Sequence, residues 1–159
     1  IILWGQKMNN TQNTEAEKLF QELRKCFLVI EKLKDPVQIA VKQKELSILH
    51  AKWKDAVHTE IEDEFLPQLL PLFGSHTYQA ILFDTGSILN VSLAILLTDY
   101  SVSAYNQVMG QLYRLIEDYS ETHTCSVSTI TVSYPLSQKH PLYSEIKSGT
   151  IIWQRPDSN

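Results

Sequence analysis

Several things are scarce in this chain of 159 residues. It has two cysteines, Cys26 and Cys125, too few for a disulfide-stapled secreted scaffold and in keeping with a reducing cytoplasm. No window approaches the roughly 18 uninterrupted apolar residues that a membrane span needs, so no membrane partner is expected. The opening Ile1-Ile2-Leu3-Trp4 is too short for a signal-peptide core and has no basic residues ahead of it. Positive charge is missing from a long middle stretch, since from Ala56 to Pro135 the only Lys or Arg is Arg114. With a net charge of −4, this argues against a basic nucleic-acid-binding face, and no nucleic-acid partner is expected. Acid is missing too, from Ser126 to Tyr134.

What is present describes a folded domain. The length suits one domain with a real core, and 43% apolar residues exclude wholesale disorder. Thr14 to Lys34 reads as an amphipathic helix, with Ala16, Leu19, Phe20, Leu23, Phe27, Ile30 and Leu33 recurring at three and four. Thr14 and Glu17 have capping-box spacing. Asp35-Pro36 stops that helix and starts another, Asp as N-cap and Pro at the first helical position. The second helix carries a less regular stripe of Val37, Val41, Leu46, Leu49, Trp53 and Val57 to about His58. So short a connection predicts an antiparallel hairpin. Basic residues crowd it, from Lys18 to Lys54. His50 and His58 are eight apart rather than the four of a helical metal pair, and are read as surface or interface histidines.

Glu60 to Glu64, EIEDE, reads as the exposed, dipole-favoured first turn of a third helical segment. Pro67 and Pro71 are expected to kink or end it. Tyr78–Phe83 and Leu89–Leu97 are nearly continuous apolar runs, as expected of strands covered on both faces. Val102 to Glu121 repeats like a helix, and Ser126 to Tyr134 alternates like a strand with Ile130 and Val132 on one face. A short helix from Pro141, closed by Gly149 as a C-cap, precedes a last strand, Thr150–Trp153. The expected fold is α+β, an N-terminal helical hairpin followed by a small mixed sheet of three to four strands with packed helices. Residues 1–13 are expected to be a disordered or upstream extension, 14–72 a helical arm and 73–155 an α/β part of one overall domain.

The hinge Asp84-Thr85-Gly86-Ser87 between the two apolar strands is the main candidate site. Ile81 to Ser87 looks like the aspartic-protease turn, in which an Asp on a tight Gly turn shares a proton with a symmetry mate. That fold is almost all strand and needs a second copy of the motif, which this chain lacks. The order of elements fits something else. Phe83-Asp84-Thr85-Gly86-Ser87 closes one strand, Asn90-Val91-Ser92-Leu93 opens the next, and Pro141 to Trp153 gives a short helix, Gly and a short strand. In this order the chain resembles the minimal nucleotidyltransferase (MNT) group of the DNA polymerase beta superfamily, over about Phe65 to Trp153.

In that family a Phe-Gly-Ser turn holds the nucleotide phosphates through backbone amides. An Asp-x-Asp on the next strand and a carboxylate on a later one bind magnesium. The resemblance implies nucleotide-binding positions at Gly86, Ser87, Asn90 and Ser92, with Asp84 as the one remaining catalytic candidate. The family's motif is broken here. Two residues are inserted before Gly86, and Asn90 and Ser92 are neutral where carboxylates are needed. No metal ligand set is assigned, and magnesium and ATP are expected only if the nucleotide site survives. The resemblance then implies a degenerate domain that acts by binding a protein partner. Two alternatives are a helical-hairpin module that forms a homodimer without any nucleotide site, and an active enzyme centred on Asp84.

Overall fold

A computed structural model describes residues 14–86 and 88–156; the N-terminal extension and Ser87 lie outside the described residues. The chain has the expected α+β architecture. It divides into two compact units, residues 14–60 with 121–124 and residues 61–120 with 125–156. None of the described helices is long and apolar enough to cross a membrane.

The first unit is the helical hairpin. Helix α1 spans Glu15–Lys32, and the Thr14 hydroxyl accepts from the Glu17 N–H at 3.1 Å, one half of the expected capping box. Helix α2 spans Pro36–Glu60, with Asp35 Oδ1 accepting from the Val37 N–H at 3.2 Å. The core of this unit gathers at one end. Ala16, Phe20 and Leu23 of α1 are buried, with Trp53 and Val57 of α2. Trp53 and Phe20 rings lie 6.5 Å apart, and the indole donates to Thr124 Oγ1 at 3.0 Å. A buried indole N–H without a partner is costly, so this bond and the two rings fix where the hairpin is tight.

The second unit begins with a π-helical turn, Ile61–Phe65, whose Ile61 and Phe65 are buried while Glu62, Asp63 and Glu64 stay exposed. Helix α3, Leu66–Phe73, follows. Pro67 falls in its first turn, where no N–H is needed. Pro71 does not end the helix but sits inside it, and α3 stops at Gly74, whose φ of 58° favours glycine. Strands β1 (Thr77–Phe83) and β2 (Asn90–Leu97) come next, then helix α4 (Val102–Thr122), strand β3 (Ser126–Ser133), the short helix α5 (Tyr143–Lys147) and strand β4 (Thr150–Gln154).

The sheet order is β3-β2-β1-β4. β1 pairs antiparallel with β2 and with β4, and β3 runs parallel to β2. Val91 to Leu97 are all buried, which is why β2 reads as a continuous apolar run rather than an alternating one. One face carries Ile81, Phe83, Ala94 and Leu96, packed with Ile146 of α5 and with Ile130 and Val132 of β3. Elsewhere in this unit Tyr119 of α4 meets Phe65 edge-on at 5.1 Å.

Gly149 matters for a reason other than helix capping. A Cβ there would lie 2.5 Å from the Leu82 carbonyl oxygen and 2.6 Å from Ile81 Cγ2. The turn from α5 into β4 therefore passes directly against β1, and only glycine fits. Gly110, within α4, meets nothing within 4 Å. Gly149→Ala is expected to destabilise the chain by about 1–3 kcal/mol, whereas Gly110→Ala is expected to stabilise it by about 0.5–1 kcal/mol. Denaturant melts of the two variants check both signs.

Candidate functional site

The hinge between β1 and β2 runs from residue 84 to residue 89. Asp84 Oδ1 accepts from the Gly86 N–H at 2.8 Å, a side-chain turn of the kind Asp forms two residues ahead of itself. Gly86 has a φ of 84°, where a Cβ would be strained. Asp84, Thr85 and Gly86 are all exposed. The hinge thus uses its carboxylate and its glycine to build its own turn. Ser87, the fourth residue of the motif, lies outside the described residues.

Asn90 and Ser92 open β2 on the face that carries Phe83, since Phe83 is the β1 partner of Ser92. The parallel register brings β3 to the same place, with Asn90 opposite Ser126 and Ser92 opposite Ser128. Ser128 Oγ donates to Asn90 Oδ1 at 3.2 Å. Ser92 is 6% exposed and Asn90 half-buried. Asn90, Ser92 and Ser128 therefore form one cluster beside the hinge. The sequence alone does not single out Ser128, because the eight residues of β3 include three serines, counting Ser126 and Ser133, and nothing but the register says which one meets β2 at this depth.

This cluster is neutral throughout. Its internal hydrogen bond joins Ser128 to Asn90, and an amide and two hydroxyls supply no anionic oxygen, of which hard divalent cations need several. What the arrangement can do chemically is limited to hydrogen bonding at the foot of two strands.

Two surface hollows of the second unit lie away from this cluster. One, of about 170 Å³, is lined by Leu97, Tyr100, Val102, Tyr105, Thr131 and Ser133 among others, below the usual size of a ligand pocket. A larger one, of about 580 Å³, lies around His76, Thr98, Asp99, Trp153 and Arg155. It is at the Thr77–Leu97 end of the β1–β2 ladder, opposite the Phe83–Ser92 end next to the hinge. Its Arg155 is engaged structurally: Nη2 donates to Ser75 O at 2.6 Å and to Thr98 Oγ1 at 2.7 Å, and Nε to Thr77 O at 3.2 Å. Both cysteines are buried. Burial, reinforced by Glu45 and opposed by Lys42, pushes the Cys26 thiol up, so it stays protonated at neutral pH and is no nucleophile.

No protein-family model, curated protein or solved structure matches this chain.

The cluster geometry is testable with the metal alone. Asn90→Asp/Ser92→Asp/Ser128→Asp would put three carboxylates on one face at adjacent strand positions. Without metal their mutual repulsion is expected to lower the melting temperature by several degrees, for a cost of about 2–3 kcal/mol. Millimolar magnesium is expected to restore most of that loss in the triple variant and to leave the native chain unchanged. A triple variant indifferent to magnesium would mean that the three positions do not converge.

Proposed function

We propose that this chain is a catalytically silent, nucleotidyltransferase-like domain that acts by binding a protein partner through its helical hairpin. The observation that carries the reading is the state of the hairpin's distal half. Between Phe27 and Leu49 no residue is buried, although this stretch is rich in apolar side chains. Val37 is 70% exposed, Val41 62% and Ile48 51%. Leu28 and Val29 of α1 are also exposed. Single exposed apolar residues need no explanation, but Val37, Val41 and Ile48 recur at helical spacing on one face of α2, and an exposed apolar stripe of this kind suits an interaction surface.

The chemistry at the strands supports the same reading. In the family that the chain resembles, metal ions carry the transfer, and here the corresponding strand positions Asn90 and Ser92, with Ser128 beside them, are neutral. Two-metal phosphoryl transfer has no foothold on such a set. Over residues 24–49 the charge is also biased: Arg24, Lys25, Lys32, Lys34, Lys42 and Lys44 against Glu31, Asp35 and Glu45. An apolar surface with a basic rim suits a partner with an acidic rim.

Val37→Lys/Val41→Lys tests this reading. Both side chains are exposed, so helical content and melting temperature are expected to stay within experimental error. The tagged native chain, purified from its own cells, is expected to retain a stoichiometric protein partner. Removing two apolar contacts from the interface is expected to weaken that association by about 100-fold. Equal recovery with the variant would exclude the hairpin as the binding surface, and a native chain that retains no partner but forms hairpin-dependent homodimers would replace this reading with self-association.

A further inference from the structure

Strand β3 is an edge of the sheet; on its outward-facing positions Thr129 and Thr131 are half-buried and Ser133 is exposed, while Val127 is buried. Ser126 donates its N–H to Leu89 O at 3.0 Å and Tyr134 to Leu97 O at 2.9 Å. Along a strand the backbone direction alternates, so the even-numbered residues of β3 turn their N–H and C=O toward β2. The backbone groups of Val127, Thr129, Thr131 and Ser133 therefore face away from it. None of them has a hydrogen-bond partner among the described residues. The accessible part of this row runs from Thr129 to Ser133.

Proteins usually guard such an edge with a lysine, a proline, a bulge or an inward-pointing charge. β3 has none of these. From Thr122 to Gln138 there is no Asp, Glu, Lys or Arg, and the first proline is Pro135, beyond the strand. Its register with β2 is unbroken from Asn90–Ser126 to Leu97–Ser133. The composition, SVSTITVS, is largely β-branched and suits a strand on both sides. The other edge differs. β4 has five residues, and its ladder with β1 shifts register between Ala80 and Ile81.

We infer that β3 is a self-pairing edge, and that two copies of this chain join their β3 strands antiparallel across a two-fold axis at Ile130. The register follows from the backbone directions. Outward-facing residues must meet outward-facing residues, so Thr129 pairs with the second copy's Thr131 on either side of the axis, and the pairing stops short of the buried Val127. Each such pair exchanges two backbone hydrogen bonds. The pairing is self-complementary: Thr meets Thr, Ile130 meets its own copy, and no like charges are opposed, because the strand carries none. A two-fold arrangement closes, whereas β3 pairing with the β4 edge of another copy would be heterologous and run on into a filament. The proposal is independent of the hairpin's role.

The test uses the full chain and its oligomeric state by sedimentation equilibrium. At about 100 µM, where even a micromolar interface is largely filled, the native chain is expected to be a dimer; a monomer there overturns the proposal. Thr129→Lys/Thr131→Lys opposes two like charges at each central pair and is expected to raise the dissociation constant about tenfold or more. Thr129→Lys/Thr131→Glu places opposite charges across the same pairs and is expected to restore the dimer. Persistence of the dimer in the double-lysine variant, or failure of the charge-paired variant to dimerise while folded, overturns the pairing. Amide exchange in the native chain reads the same register without any substitution. The amides of Thr129 and Thr131 are expected to be as protected as that of Ile130 in the dimer and to exchange freely on dilution; fast exchange at both in the concentrated sample overturns the proposal.

Discussion

Strand β2 is the constraint that the second unit is built around. From Val91 to Leu97 every side chain is buried, so both faces must be covered and both edges must be paired. β1 supplies one edge, antiparallel, and β3 the other, parallel. A parallel neighbour cannot be reached by a tight turn, and the 21-residue helix α4 makes the crossover. Gly149 is part of the same constraint, because α5 and β4 reach β1 only where a residue without a side chain lets the backbones approach. The cost of misplacing β2 would be paid across the whole of this unit.

That arrangement also decides what the candidate site is. The parallel pairing sets Ser128 opposite Ser92 and within hydrogen-bonding reach of Asn90. On the proposed reading these positions correspond to the metal-binding carboxylates of the nucleotidyltransferase family, and they hold an amide and two hydroxyls. Asp84 is bonded to the Gly86 amide and shapes the hinge. We propose that such a site has kept the form of a nucleotide-binding end of a sheet without its charge. Binding through other surfaces then becomes the function, and the exposed apolar tip of the hairpin is the surface best suited to it.

Much of the fold was legible in the sequence because local rules set it. Thr14 caps α1, Asp35-Pro36 divides the hairpin, and the apolar runs of β1 and β2 mark strands covered on both faces. What was not legible depends on partners distant in sequence. The stripe Val37, Val41, Leu46 on α2 looks like core, yet periodicity cannot say what lies against it, and nothing described buries it. Pro71 looks like a helix end, but the packing of Leu69 and Phe73, both buried, carries α3 through it. Gly149 reads as a helix cap, while its real role is an inter-element contact. The choice of Ser128 among the serines of β3 needs the strand register, which no local pattern encodes.

We propose that the domain works by binding rather than by transfer, with no metal held at Asn90, Ser92 and Ser128. Isothermal titration of the native chain with ATP in the presence of magnesium tests it most directly. No saturable magnesium-dependent heat is expected at millimolar nucleotide. A one-to-one isotherm that vanishes when magnesium is chelated would contradict it.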